Sequence, residues 1–269
     1  MSYIKNEPEA KPVVLCFSGH DPSGGAGIQA DIEAISAQGC HAATVITALT
    51  CQDTSHVLSF DAVDADKLKK QADVLLRDMS VSAIKIGMTA DVEIVKAIHT
   101  ILKTHHEIPV ILDPVLASGA GTSLSSSKLV DAINTYLLPH CQLITPNTLE
   151  AFKLSSCSDD TETAAGTLLE MGAEHVLITG THAKSALVEH YLYHAHELPQ
   201  QFQNTRLPHE YHGSGCTLAS SIAAFIATGL MTSEAVQKGL DYTYQTLQYA
   251  HAPGQGQWLP DRLYTPKND

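Results

Sequence analysis

The stretch Tyr211-His-Gly-Ser-Gly-Cys-Thr217 joins two close glycines to a cysteine, and an apolar periodic run from Leu218 to Leu230 follows it. Glycines beside the start of a helix let backbone N–H groups converge on an anion, and the helix dipole adds partial positive charge there. A thiol at that point is predicted to have a lowered pKa, which would make Cys216 a proton acceptor beside a bound phosphate. The pattern is typical of a phosphoryl-transfer site, although a plain turn at Gly213 and Gly215 with a small buried cysteine has the same spacing.

Polar residues and glycines also follow predicted strands at five other points of the chain. Ligands of open α/β sheets bind beyond the carboxyl ends of the strands, so these loops are where chemistry is expected. Each loop by itself could be an ordinary turn, but their common position at one rim of a sheet favours a shared site. The five loops are His20-Asp-Pro-Ser-Gly-Gly-Ala-Gly27, Thr50-Cys-Gln-Asp53, Gly87-Met88, Asp113-Pro114 and Pro146-Asn-Thr-Leu-Glu150.

Strand and helix patterns alternate along the whole chain. Short apolar runs predict buried strands, and apolar residues three and four positions apart predict helices, as at Ile28, Ile32 and Ile35 before Gly39. The alternation predicts an α/β fold, with a doubly wound, mostly parallel sheet and helices on both faces. The predicted strands cover 13–18, 44–50, 83–87, 110–115, 143–145 and 175–180, and the predicted helices cover 28–39, 68–79, 92–102, 128–138, 164–171, 216–228 and 233–250.

The composition is ordinary for a globular chain. A length of 269 residues with 44% hydrophobic residues predicts one domain over 1–269, with a flexible N-terminal segment at 1–11 and a C-terminal tail at 251–269. The net charge of −13 argues against a nucleic-acid or anionic-membrane partner, because such binding needs clustered Lys and Arg. No apolar run reaches the roughly 18 residues of a membrane span, and the polar N-terminal segment is unlike a signal peptide. We therefore expect a cytoplasmic protein.

The cysteines and histidines do not form a recognisable metal motif. Six cysteines are spread along the chain without a Cys-x-x-Cys pair, which predicts reduced and mostly buried thiols. His190, His194 and His196 are close enough to suggest a metal site, but 187–193 alternates like a strand and would place all three on one face. No cysteine or fourth ligand lies near in sequence, so a solvated strand face is the favoured interpretation.

With these loops identified, the chain resembles the hydroxymethylpyrimidine/phosphomethylpyrimidine kinases of thiamine biosynthesis, a branch of the ribokinase-like family. The resemblance covers roughly residues 12–250, and its first and last blocks are specific. The matching blocks are Ser18-Gly-His-Asp-Pro-Ser-Gly-Gly-Ala-Gly-Ile-Gln-Ala-Asp31, Val45-Ile-Thr-Ala-Leu49 with Gln52, Lys85-Ile-Gly-Met88, Leu112-Asp-Pro-Val115, Leu143-Ile-Thr-Pro-Asn147 with Glu150, and His212-Gly-Ser-Gly-Cys-Thr217.

This resemblance implies a ribokinase-like domain that uses ATP and Mg²⁺. Its small-molecule substrate would be 4-amino-5-hydroxymethyl-2-methylpyrimidine, phosphorylated on the hydroxymethyl group, and then the monophosphate, which yields the diphosphate for thiamine diphosphate synthesis. A homo-oligomer is also expected. In this reading Gly213, Ser214 and Gly215 form the anion hole for the transferring phosphoryl group, and Cys216 occupies the catalytic position.

The resemblance also suggests a metal group. Asp113, Asn147 and Glu150 correspond to residues that organise Mg²⁺ directly or through water, and hard oxygen ligands suit that ion. The Asn-x-x-Glu spacing equally predicts a helix cap with its reciprocal carboxylate, and both interpretations can hold at once.

The remaining implied residues concern the substrate. Gln52 would hydrogen-bond the pyrimidine, because an amide can both donate and accept, although an exposed turn glutamine is the alternative. Ala26 and Met88 would pack against the ring, where residue patterns alone predict core positions. Asp21 would position the substrate phosphate or close the glycine-rich loop.

One departure from the family pattern concerns nucleotide binding. Where the family commonly has Lys-Gly-Gly-His after the sixth strand, this chain has Thr179-Gly-Thr-His182, so an expected lysine is missing. Either Lys184 or a rearranged loop supplies the charge, or Mg²⁺ carries more of it. Two other functions stay open at this point: a pyridoxal kinase, and a non-catalytic ligand-binding domain of the same fold.

Overall fold

The computed structural model describes residues 10–117, 125–157, 160–180 and 185–265. The strands are β1 Val13–His20, β2 His41–Gln52, β3 Val57–Ala62, β4 Val81–Ile86, β5 Val110–Leu112, β6 Leu143–Ile144, β7 His175–Thr179, β8 Leu187–His194 and β9 Gln200–Thr205. The helices are α1 Gly27–Ala37, α2 Ala65–Asp78, α3 Val92–Thr104, α4 Ser127–Tyr136, α5 Thr148–Ser155, α6 Thr161–Glu170, α7 Ser214–Ala227 and α8 Thr232–Gln248, with a 3₁₀ turn at Leu138–His140.

The strands form one sheet in the order β3-β2-β1-β4-β5-β6-β7-β8-β9. The six strands from β2 to β7 in this order pair in parallel. The two edge strands, β3 and β9, and the internal strand β8 are antiparallel to their neighbours. The carboxyl ends of the parallel strands therefore share one rim, where the loops identified in the sequence meet.

Helices cover both faces of the sheet. Along β1, Leu15 and Phe17 join the core beneath α2 to α6, whereas Val14 and Cys16 join the core beneath α1, α7 and α8. This alternation is the period of a strand whose two faces are both buried, and it explains the continuous apolar run in the sequence. The predicted fold class is confirmed.

Several local expectations need correction. Strands β3 and β9 were not predicted, because both are short, partly exposed strands at the edges of the sheet, and β9 is polar as well. Helix α5 was predicted only through its cap at Asn147 and Glu150, since the helix is short. Ile32 was predicted on the core face of α1, but it is 42% exposed, and Asp31 lies in the core instead. Helix α2 is capped by the Asp64 side chain, which accepts from the Lys67 N–H.

The C-terminal segment 251–265 contains isolated bridges rather than a helix or strand. It nevertheless packs on the domain, since Leu259 and Arg262 are buried. Among the described helices, none combines the length and apolar character that a membrane crossing requires.

Candidate active site

The loops after the parallel strands surround a cavity of about 750 Å³. All the residues proposed from the sequence line it, although they come from points up to about 190 positions apart in the chain. These residues are Asp21, Ala26, Gln52, Met88, Asp113, Asn147, Glu150, Gly213, Ser214, Gly215 and Cys216. The structure thus brings every predicted site residue to one place, while their individual roles stay predictions.

One wall of the cavity is the start of α7. Gly213 has a φ of 82°, and a Cβ there would overlap the Gly25 carbonyl oxygen, so the close approach of the two loops requires glycine. The Thr217 N–H and hydroxyl donate to the Gly213 carbonyl at 2.9 and 2.8 Å. Because that carbonyl points into the helix, the N–H of Ser214 in the same peptide points out of the helix end, as an anion hole requires.

Cys216 follows in the first turn of α7. Its thiol lies near the Asp113 carboxylate and the Gly27 N–H, and both groups act on its pKa. Burial raises the pKa of Cys216 to about 12, the Asp113 and Asp31 carboxylates add to the rise, and Lys85 opposes it. The predicted lowering of this pKa is wrong, because desolvation and two carboxylates outweigh the helix terminus.

The opposite wall carries carboxylates. Asp113 follows β5 and is 5% exposed, and its pKa is raised by burial and by Asp31, although Lys85 lies close enough to oppose the rise. Burial and the nearby Asp113 raise the pKa of Glu150 to about 8. Two neighbouring acids with raised pKa values favour a cation between or beside them.

Asn147 and Glu150 form the helix cap that their spacing predicts. The Asn147 Oδ1 accepts from the Glu150 N–H at 3.0 Å, and Glu150 Oε2 accepts from the Asn147 N–H at 3.0 Å. Glu150 Oε1 also accepts from the Leu116 N–H at 3.3 Å. These backbone bonds fix the carboxylate in the cavity wall and leave it little freedom to turn.

Asp21 organises the glycine-rich loop after β1. Its carboxylate accepts from the backbone N–H groups of Ser23 and Ala26, both at 2.8 Å, and pairs with His212 Nε2 at 2.8 Å. Burial alone would raise the pKa of Asp21, but the hydrogen bonds from His212 and Ser23 outweigh it and lower the pKa to about 2. The side chain therefore links this loop to the loop before α7.

The remaining predicted contacts, Gln52, Ala26 and Met88, also line the cavity. Gln52 is half-buried at the end of β2, and Ala26 is the residue that precedes α1. The Met88 backbone carbonyl accepts from Thr47 Oγ1 at 2.5 Å. A Cβ on Gly19 would lie 3.2 Å from the Met88 sulfur, so the thioether packs directly on the loop.

A buried ion pair that the sequence patterns did not predict lies beneath the cavity. Lys85 Nζ lies 2.8 Å from Asp31 Oδ1 and 3.0 Å from Ser18 Oγ, with the Lys85 and Asp31 side chains fully buried. The Ser220 hydroxyl also donates to Asp31 Oδ1, at 2.6 Å. Burial by itself would lower the pKa of Lys85, but Asp31 reverses this and raises it. The available signal was a lysine inside an apolar strand and an aspartate at helical spacing from Ile28.

Two basic side chains, Lys153 and Arg206, line the cavity within the described part of the chain. Lys153 Nζ donates to Ser125 Oγ at 2.7 Å, and Arg206 Nε donates to the Ser185 carbonyl at 2.7 Å. Thr179, where a lysine was expected, is buried and also lines the cavity. Lys184 and His182 lie outside the described residues.

The histidines of β8 do not share one environment. His190 is 6% exposed and lines the cavity, so the predicted solvated face is wrong there, and burial lowers its pKa to about 4. At the other end of the strand, His194 stacks on His175 with ring centroids 4.6 Å apart. His196 lies in the turn beyond β8.

Comparison with known sequences identifies a family. The phosphomethylpyrimidine kinase family profile matches residues 21–261. A hydroxymethylpyrimidine/phosphomethylpyrimidine kinase of Salmonella typhimurium is 38% identical over 78% of this chain and 81% of its own length.

Solved structures give a consistent fold. A pyridoxal kinase from Staphylococcus aureus, in complex with AMP-PCP and pyridoxal, has a TM-score of 0.85 and 26% identity over 94% of each chain. A phosphomethylpyrimidine kinase from Clostridium difficile 630 has a TM-score of 0.77 and 30% identity, covering 88% of this chain and all of its own.

Proposed function

Because the chain belongs to the phosphomethylpyrimidine kinase family and is a phosphotransferase, we propose that it phosphorylates hydroxymethylpyrimidine with ATP, and then the monophosphate. The observation that carries this proposal is the meeting of the Gly213–Gly215 backbone, Cys216 and Asp113 in one cavity. Phosphoryl transfer needs donors for the spreading charge, a proton acceptor and a metal-organising carboxylate, and the cavity supplies all three. The product is the diphosphate used for thiamine diphosphate synthesis.

The transfer exchanges one phosphorus–oxygen bond for another. The hydroxymethyl oxygen bonds to the γ-phosphorus, the bond from that phosphorus to the bridging oxygen breaks, and ADP departs. The N–H groups at the start of α7 donate to the γ-phosphoryl oxygens as charge develops on them. Gly215 leaves the space between this wall and Asp113 clear, since a Cβ there would lie 3.9 Å from both Asp113 oxygens.

The proton of the substrate hydroxyl passes toward Cys216. With a pKa of about 12 the thiol is protonated in the free protein, so its sulfur can accept the hydroxyl proton only as it releases its own, which passes to an oxygen of the transferred phosphoryl group. A loose transition state demands little early deprotonation, so this transfer can follow bond breaking.

The carboxylate wall fits Mg²⁺. Asp113 Oδ2 is buried and has no hydrogen-bond partner within the described residues, which supports our assignment of this oxygen as the one that would ligate Mg²⁺ directly. The polar oxygens of Asn147 and Glu150 already accept backbone N–H groups, so we assign them contacts through water. When bound, Mg²⁺ neutralises phosphate charge.

A second candidate, phosphorylation of pyridoxal, is supported by the TM-score of 0.85 to a pyridoxal kinase. Both substrates are flat nitrogen heterocycles that carry a hydroxymethyl arm, and the cavity accommodates either class by size. We also keep the expectation of a homo-oligomer, which light scattering tests.

The deciding experiment measures ATP turnover with hydroxymethylpyrimidine, its monophosphate and pyridoxal in parallel. The proposal predicts the highest kcat/KM for the two pyrimidines. A higher kcat/KM for pyridoxal would replace the substrate assignment, and turnover of none of them would overturn the function. Phosphorylation of the first pyrimidine alone would remove the second step from the proposal.

A further inference from the structure

The C-terminal segment 251–265 crosses the loops of the active site. The Gln257 N–H donates to the Thr54 carbonyl at 2.9 Å, beside the end of β2 that carries Gln52. The Trp258 N–H donates to the Glu210 carbonyl, and the His212 N–H donates to the Trp258 carbonyl, each at 2.9 Å. The segment therefore bonds both to the loop after β2 and to the loop before α7.

The Arg262 side chain in this segment donates hydrogen bonds to both glycine-rich loops of the active site. Its Nε donates to Thr217 Oγ1 at 2.8 Å, and its Nη1 donates to the Gly24 carbonyl at 3.4 Å and to Glu33 Oε2 at 3.0 Å. Its Nη2 donates to the Gly25 carbonyl. The guanidinium is 1% exposed, so these contacts are made away from solvent.

The position of the guanidinium connects it to the anion hole. A Cβ on Gly213 would lie 2.9 Å from Arg262 Nη2, so the guanidinium packs against the residue that immediately precedes α7. The Thr217 hydroxyl accepts from Arg262 and donates to the Gly213 carbonyl at 2.8 Å. This chain of bonds fixes the peptide whose other end presents the Ser214 N–H to the cavity.

The same fork holds the loop opposite. The carbonyls of Gly24 and Gly25 belong to the loop that Asp21 organises and that leads to Ala26. Arginine is suited to this task because its donors lie in one rigid plane and it stays charged when buried. Its charge also adds to the positive potential of the helix terminus, since Glu33 is 42% exposed and is its only carboxylate partner among the described residues.

We propose that Arg262 is a positioning residue for phosphoryl transfer: it fixes the substrate loop 21–26 relative to the anion hole 213–215. This inference rests on the proposed function for its kinetic part. It predicts that losing the fork lowers kcat more than it raises either KM, because both ligands still bind while their reacting atoms are less well aligned.

The test compares Arg262→Ala and Arg262→Lys with the exposed control Arg77→Ala. We expect Arg262→Ala to lower kcat by about 10- to 100-fold and to change either KM by less than about threefold. Millimolar guanidinium should restore part of the kcat of Arg262→Ala and none for the control. Arg262→Lys keeps a charge but cannot span both loops, so its kcat should also fall.

Hydrogen exchange of the same proteins, without substrate, gives an independent readout. Peptides covering 21–26 and 212–217 should exchange faster together in both Arg262 variants and stay unchanged in Arg77→Ala. A kcat within about twofold of wild type in both variants, or faster exchange in only one loop, overturns the inference. If Arg262→Ala does not fold, Arg262→Lys decides. Wild-type protein that turns over no pyrimidine refutes the proposed function, while the exchange readout still tests the coupling.

Discussion

The two walls of the cavity are built on opposite principles. The backbone wall, residues 21–27 and 212–217, presents N–H groups, and its supporting polar groups are already paired, as at Asp21 and Arg262. The carboxylate wall, Asp113, Asn147 and Glu150, carries raised pKa values and an oxygen of Asp113 without a partner among the described residues.

This difference separates what is preorganised from what depends on a ligand. A backbone wall can stabilise transferring charge without rearranging, since its dipoles are fixed by folding. A carboxylate wall of two buried acids is electrostatically unfavourable until a cation or a proton compensates it. Cys216 lies between them, in the backbone wall but near enough to Asp113 for each group to act on the pKa of the other.

The largest expected effect comes from the residue that joins the walls. Cys216→Ala should keep the fold and lower kcat by about two to four orders of magnitude, the range for a lost proton acceptor. Steady-state kinetics and thermal unfolding measure the two properties. Cys157→Ala, at the end of α5, serves as the control. A wild-type kcat in Cys216→Ala would show that the backbone wall suffices for catalysis.

A change in the carboxylate wall should act through the metal. Asp113→Asn should raise the Mg²⁺ concentration for half-maximal activity by about 10- to 100-fold, because the amide is a poorer ligand for a hard cation. The KM for the pyrimidine should change much less. The exposed carboxylate Asp131 provides the control variant Asp131→Asn. If the Mg²⁺ requirement and the KM for the pyrimidine rise by the same factor, the variant has a folding defect, and the experiment does not separate the two walls.

Selectivity should depend on side chains rather than on either wall. Gln52→Leu leaves the polar edge of the pyrimidine without a partner, which typically costs about 1–3 kcal/mol, or roughly tenfold to a hundredfold in kcat/KM. Kinetics with hydroxymethylpyrimidine and pyridoxal measure it, with Gln237→Leu as the control. If Gln52→Leu lowers kcat/KM only for pyridoxal, pyridoxal replaces the pyrimidine as the proposed substrate.

The smallest expected effect is on stability. Glu150 has a folded-state pKa of about 8, above its ordinary value of 4.5, so folding favours its protonated form. As pH rises from about 5 to about 8, the unfolded chain has already released this proton, and the free energy of unfolding falls. Denaturant titrations without Mg²⁺ should show this slope, and Glu150→Gln should flatten it while Glu170→Gln does not. If Glu150→Gln has the same slope as the wild type, Glu150 is not the source of the pH dependence, and the carboxylate wall is not electrostatically unfavourable in the way described.

Local sequence patterns predicted many of the helices, strands and turns of this protein, because these patterns reflect the conformations that the backbone of a short segment adopts. The glycine spacing at 213–215 and the Asn-x-x-Glu cap at 147–150 are properties of short segments, and both lie where predicted. The strand predicted over 110–115 is also present, but it ends at Leu112, just before Asp113. Exposed edge strands such as β9 escaped, because a polar strand held mainly by its neighbour leaves little periodicity. The burial of Asp31 was not predicted for a related reason. Helical spacing is compatible with either Ile32 or Asp31 on the core face, and the more hydrophobic Ile32 was predicted there, but Asp31 is the buried residue.

The sequence by itself determined the alternation of strands and helices, and hence which residues reach the active rim of the sheet. Only the tertiary structure decided their electrostatics. The pKa of Cys216 depends on Asp31, Lys85 and Asp113, which come from three other elements, and on burial that no local pattern records. Arg262 likewise acts on a loop more than 230 positions away. Desolvation and charge act through space, so residues distant in the chain set them, and they become visible only once the chain is folded.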